Sequence, residues 1–233
     1  MQQDTRLQRR NLLIGSAAGA AGLLLPSWAR AEDYPARPIT FVCPWPAGGT
    51  ADQSMRAICQ IAAKTLGQSI AVENRAGAAG MIGAQYLATA RPDGYVIGQI
   101  PISVTRFSQI GTLKADPRKD FTYLARTNGQ TFGIAVLPDS KFKTLKELGY
   151  NVVVDAPNGI GAPKGLPPEV EKKLRDAFRG AIRSEEFKAV AARIDSPVMY
   201  LDGPEYQKYV MNVYDRETQL IQRLKLKELM EKG

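Results

Sequence analysis

The chain has 233 residues, 44% hydrophobic and 23% charged, a composition of one large or two small globular domains that sets aside disordered, collagenous and disulfide-scaffold architectures. Histidine is absent, so Ser-His-Asp and Cys-His nucleophile systems, His-ligated zinc and the two-His-one-carboxylate iron site cannot be assembled. The formal charge is +8, and residues after 31 still hold 27 basic against 22 acidic side chains, interspersed in a way that suits an anionic small molecule better than a nucleic acid.

Residues 1–31 read as an export signal. Arg6, Arg9 and Arg10 precede an apolar stretch over 14–25, and Ala29-Arg30-Ala31 supplies small residues for cleavage before Glu32. Arg9-Arg10 followed by one polar residue and two leucines also suits twin-arginine export of folded protein, alongside general secretion. A membrane anchor would need about 20 apolar residues. Pro26 ends the run short of that, so the mature chain is expected in the periplasm without inserting into the membrane.

From Pro38 the chain alternates β-rich runs with helical patterns, which predicts an α/β fold with parallel strands and crossover helices. A strand is expected over 39–43. A helix over 51–66 follows, with Met55, Ile58, Cys59, Ala62 and Leu66 on one face. Next come a strand over 69–73, a helix over 79–90, the turn Arg91-Pro92-Asp93-Gly94 and a strand over 95–100. Extended segments are expected over 121–126 and 132–137, a short helix over 143–148 stopped by Gly149, and a buried strand over 152–154. Helices over 168–182, from Ser184 and over 204–224 complete the chain. The only cysteines are Cys43 and Cys59; contact between them is conceivable, but their spacing matches no metal or redox motif, which favours two buried free thiols.

The segment Pro44-Trp45-Pro46-Ala47-Gly48-Gly49-Thr50-Ala51-Asp52-Gln53 joins the first strand to the first helix, where open α/β sheets bind their ligands. Thr50 and Gln53 spell a capping box with Thr50 as N-cap. Gly48 and Gly49 let an anion approach backbone amides at the positive end of the helix, and a carboxylate is the natural guest. No nucleotide-binding glycine motif is present. Asp52 has two readings, a first-turn acid favoured by the helix dipole or an acceptor for a ligand donor or bridging water. Trp45 could wall the pocket. Arg75 suits an ion pair with Glu73 better than an anionic ligand, and Ser103, at the exit of the third strand, could bring a hydroxyl into the cleft.

Taken together, Tyr34-Pro35-Ala36-Arg37-Pro38-Ile39, the Pro-x-Gly-Gly-Thr-x-Asp loop from Pro46 to Asp52, Val72-Glu73-Asn74-Arg75-Ala76-Gly77-Ala78-Ala79-Gly80, Pro92-Asp93-Gly94-Tyr95 and Gly159-Ile160-Gly161-Ala162-Pro163 resemble the Bug family, periplasmic solute-binding receptors of tripartite tricarboxylate transporters. The resemblance implies a type II periplasmic-binding-protein fold, a Venus flytrap of two α/β lobes closing on a small carboxylate, without catalysis or cofactor. It implies ligand contacts from Pro46, Ala47, Gly48, Gly49, Thr50 and Asp52, with Ser103 added from its position, and as partners inner-membrane transporter subunits or a sensor.

One departure is large: after Leu148 the chain runs into Gly149-Tyr150-Asn151-Val152 where such a receptor continues through its second lobe. The layout is therefore a first lobe over 32–124, a remnant of the second over 125–150, and a return to the first over 151–233. That remnant falls below the roughly 40 residues a lobe needs to stand alone. Two functions follow, a carboxylate receptor with an incomplete cleft or a truncated, non-binding remnant that serves as an interaction module. Exported protein should begin at Glu32, which intact-mass measurement of periplasmic material checks.

Overall fold

The computed structural model describes residues 33–131, 136–144, 146, 147, 149 and 155–231. Six strands form one sheet in the order β2-β1-β3-β5-β4-β6, with β1 Ile39–Cys43, β2 Ile70–Asn74, β3 Val96–Gln99, β4 Phe121–Thr131, β5 Asp155–Pro163 and β6 Val198–Asp202. The described helices are α1 Thr50–Leu66, α2 Met81–Thr89, α3 Val104–Gln109, α4 Pro168–Arg183, α5 Glu185–Arg193, α6 Gly203–Arg223 and α7 Leu226–Glu231.

Only half of the sheet follows the parallel expectation. β1 pairs in parallel with β2 and β3, whereas β5 runs antiparallel to β3 and β4, and β6 antiparallel to β4. Parallel neighbours need a crossover of a dozen or more residues, usually a helix. The described residues between β4 and β5 hold turns instead. Thr144 and Glu147 do form reciprocal capping bonds, Glu147 N–H to Thr144 Oγ1 at 3.2 Å and Thr144 N–H to Glu147 Oε2 at 3.1 Å. The helix expected over 143–148 nevertheless does not propagate through its described residues: Gly149 takes φ 84° and bonds back to Lys146 O at 3.0 Å, closing a single turn.

Val136 and Leu137 lie outside any strand, correcting the end of the segment expected over 132–137, while the rest of that segment and 152–154 fall outside the described residues. The helix expected over 79–90 opens with a 3₁₀ turn at Ala78–Gly80 in which Ala79 is left-handed at φ 53°, so the α-helix begins at Met81. Both cysteines are free and buried.

Helices cover both faces of the sheet. One core packs Met55, Ile58 and Cys59 of α1, Leu174 and Phe178 of α4 and Phe187 of α5 against Phe41, Ile97, Leu124 and Ile160. The other packs Met81 and Leu87 of α2, Val104 of α3 and Tyr206 and Val210 of α6 against Ile100, Phe121 and Tyr123. The register shift along β4 between Tyr123 and Ala125 lets the neighbours Leu124 and Ala125 enter the same core, against the usual alternation of faces. The helix ends are capped by local chemistry: Gly67 closes α1 at φ 69°, the Ser184 hydroxyl accepts from Phe187 N–H at 3.1 Å, and Asp202 with Glu205 forms a capping box for α6.

The tightest join between layers is at Gly159 of β5, where a Cβ would overlap the hydroxyl and ring of the fully buried Tyr206 on α6. Gly159→Ala must displace that ring, and a loss of about 3 kcal/mol, the upper end of overpacking costs, is expected in urea unfolding.

Candidate functional site

A cleft of about 930 Å³ opens beyond the carboxyl ends of β1 and β3. The β1–α1 connection lines it with Trp45, Pro46, Gly49, Thr50 and Ala51, and the exit of β3 adds Gln99, Pro101, Ile102 and Ser103. β5 contributes Asn158, β4 contributes Gln130, and α6 covers one side with Tyr209, Val213, Arg216, Glu217 and Leu220. Of the residues expected from sequence, Pro46, Gly49, Thr50 and Ser103 are thus gathered on one cavity. Ala47, Gly48 and Asp52 are not part of its lining.

Asp52 sits behind the loop. It is 2% exposed; its Oδ2 accepts from Gly48 N–H at 2.8 Å and Arg56 Nε at 2.9 Å, and its Oδ1 from Asn74 Nδ2 at 2.8 Å. Asn74 Nδ2 also donates to Trp45 O at 2.9 Å. One carboxylate therefore ties the start of α1, the loop from 45 to 48 and the end of β2 together. Burial pushes the Asp52 carboxyl upward, but the Arg56 guanidinium, the Gly48 amide and the Asn74 amide outweigh it and hold the group below its ordinary range.

This network corrects the expected capping box. The N-cap is Gly49, Thr50 is the first helical residue, and Asp52 reaches back to the loop, while Gln53 Nε2 donates to Gly48 O at 2.8 Å. A charged acceptor forms the stronger bond, which is why Asp52 rather than Thr50 organises this turn. Thr50 Oγ1 instead accepts from Gln130 Nε2. A helix start leaves its first N–H groups without intrahelical partners, so those of Thr50 and Ala51 are available at the cleft.

The charges on the cleft are two arginines and one glutamate. Arg106 of α3 grips Glu217 of α6 through Nε at 2.8 Å and the terminal amino group at 2.7 Å, and that bond holds the guanidinium protonated more firmly than usual. Arg216 has no ion-pair partner among the described residues. Arg75 pairs with Glu73 at 2.7 Å, as its neighbour in sequence suggests.

Gln99 and Asn158 were not singled out from sequence. Gln99, 2% exposed, donates through Nε2 to Asn158 Oδ1 at 2.6 Å, while its own Oε1 has no partner among the described residues. The rule that points to Ser103, proximity to the carboxyl end of a strand, would equally have found Gln99. Asn158 was hidden because its strand, Asp155–Pro163, is rich in Gly, Pro and Asn.

The description "Tripartite tricarboxylate transporter family receptor" matches residues 54–148 and 137–226. The chain belongs to this receptor family. A UPF0065 protein of Cupriavidus necator is 25% identical to the receptor over 323 aligned positions, covering 94% of this chain and 99% of that protein. A UPF0065 protein of Bordetella pertussis is 36% identical over 217 positions, covering 76% of this chain and 67% of its own. The 323 positions exceed the 233 residues of the receptor by 90, so at least that many face gaps in it. The family match breaks into two stretches that overlap over 137–148, just before Gly149, where the sequence departs from the Bug pattern.

Among solved structures, a ligand-free TctC solute-binding protein from Polaromonas superimposes with a TM-score of 0.72 at 19% identity, covering 82% of this chain and 99% of that one. MatC of Rhodopseudomonas palustris with bound malate gives 0.67 at 18% identity (81% and 100% covered), and an R. palustris protein with adipate gives 0.66 at 18% (82% and 98% covered). These likenesses establish the receptor fold, here with a shortened second lobe. No helix among the described residues is long and apolar enough to cross a membrane.

Because the folded pKa of Asp52 is depressed, its contribution to receptor stability is complete above the unfolded carboxyl value of about 3.9 and is lost as pH falls through the folded value. Asp52→Ala should cost about 2 kcal/mol at pH 7, the scale of losing charged hydrogen bonds, and should flatten the fall in stability below about pH 4. Urea midpoints between pH 3 and 7 measure both.

Proposed function

We propose that this receptor binds a small carboxylate in the cleft, with the anion at the N-terminus of α1. The observation that carries the reading is Gly49. Its φ of −70° and ψ of 165° suit any residue, and a Cβ there would meet nothing nearer than Pro46 O at 3.8 Å. Ser, Asn or Asp would cap the helix better than glycine. The fold has no need of glycine at this position, whereas a ligand approaching the amides of Thr50 and Ala51 does.

Arg216 adds a positive charge on the opposite wall, and the helix end supplies about half a charge more. In this reading Pro46, Gly49, Thr50 and Ser103 meet the ligand, and Ala47, Gly48 and Asp52 hold the loop in place behind them. Related folds with malate and adipate bound support the ligand class. The role is binding without turnover, in the periplasm after export directed by residues 1–31, with delivery to transporter subunits in the membrane or to a sensor.

The missing stretch favours a second reading. A flytrap excludes water from its guest between two walls, and an anion held by one wall stays exposed to solvent and salt. Binding should then be weak, and the cleft of a non-binding remnant would serve contact with another protein chain.

A thermal-shift series on the purified chain with malate, succinate and adipate tests the first reading. A ligand at about a hundred times its Kd should raise Tm by about 5 °C. The shift should shrink between low and moderate salt. Gly49→Leu should melt a few degrees below the parent, the cost of a poorer N-cap, and should lose the shift. A cooperative melt that no carboxylate moves would overturn the proposal, and oligomers in light scattering would then favour the interaction module.

A further inference from the structure

We infer that the cleft prefers carboxylates carrying a hydrogen-bond donor, a hydroxyl or ammonium group, over the same skeleton without one, and that Gln99 makes the choice. The inference rests on the carboxylate reading above and deepens it. Its basis is a row of buried amides whose direction is set far from the cleft.

The row starts at the main-chain carbonyl of Gly129, which can only accept. The Ser196 hydroxyl donates its single proton there, at 2.8 Å. Ser196 Oγ can then only accept from Asn128, which places the Asn128 Nδ2 amide on it at 2.7 Å. The Asn128 carbonyl must face the other way, where it accepts from the Asn158 Nδ2 amide at 3.3 Å and lies 2.7 Å from the Thr127 hydroxyl. Asn158 Oδ1 is left to accept from Gln99 Nε2 at 2.6 Å. The row therefore ends in the Gln99 carbonyl oxygen, on a cleft-lining residue, with no partner among the described residues.

Reversing the direction would strand a buried acceptor. Ser196 would have to turn its proton away from Gly129 O, and all three amides would have to flip together. Asn128, Asn158 and Ser196 are respectively 0, 6 and 2% exposed, so no bulk water replaces a lost partner.

The consequence is chemical. A bare carboxylate oxygen and the Gln99 oxygen both accept, and neither satisfies the other. A hydroxyl or ammonium on the ligand supplies the missing proton, and a ligand without one leaves the acceptor unpaired, as it is in the free chain. Sites built to hydrogen-bond a substrate group discriminate strongly against analogues that lack it.

Calorimetric titration of the purified chain with malate and succinate, with lactate and propionate, and with aspartate decides the matter. Malate should bind at least about tenfold tighter than succinate. Lactate should lead propionate likewise, and the standing of aspartate shows whether an ammonium serves as well as a hydroxyl. Gln99→Met should bring the malate-to-succinate ratio close to one. Ser196→Ala, remote from the ligand, frees the row to reverse and should lower the same ratio, which a merely structural loss would not do. Equal affinities in the parent chain, or a preference that survives in Gln99→Met, would overturn the inference alone. Failure of every carboxylate to bind would remove the carboxylate reading and this one with it.

Discussion

The buried Asp52 carboxylate is the constraint around which the ligand end of this receptor is arranged. A charge taken out of water requires partners from several directions. Here they come from the loop amide of Gly48, from Arg56 one turn along α1 and from Asn74 at the end of β2. Meeting that requirement sets where the loop from 45 to 48 can lie. The loop in turn sets the direction in which α1 starts, so that the first helical amides open onto the cleft instead of onto the core.

In the proposed reading the cleft offers anion recognition at the β1–α1 turn and an acceptor in the Gln99 side chain. Helix amides and Arg216 favour negative charge, while the Gln99 carbonyl calls for a proton. In that reading a ligand with both kinds of group meets both demands, which are supplied by different layers. The anion end is local to the β1–α1 turn. The acceptor end depends on a row of side chains from β3, β5, β4 and Ser196, brought together by antiparallel pairing in the second half of the sheet.

The same antiparallel half carries the trace of the missing lobe. β4 and β5 run side by side from Phe121 opposite Pro163 to Thr131 opposite Asp155. The sheet is thereby completed by the strands present, which accounts for a whole core in a chain 90 positions shorter than its alignment with a relative. In the proposed reading, the shortening takes away the second lobe's contribution to enclosing the ligand, and with it part of the exclusion of water.

Much was legible in the order of residues alone. Met55, Ile58, Cys59 and Ala62 at helical spacing, the small residues Gly48 and Gly49 after a β-run, and the motifs shared with the Bug family were enough for α1, for the turn that lines the cleft and for the family. Local patterns determine such features because helix periodicity, turn glycines and caps act over a few residues. Three things needed the tertiary structure. Thr50 and Asp52 competed for the same turn, and Asn74, 22 residues away, decided for the carboxylate. β5, with Gly, Pro and Asn where β-branched residues are usual, is a strand only because β3 and β4 flank it. The direction of the Gln99 amide is set by a carbonyl 30 residues further along the chain, at Gly129, through partners at 128, 158 and 196. Long-range hydrogen bonds carry no local signature in sequence, so only the folded chain decides which end of an amide a ligand meets.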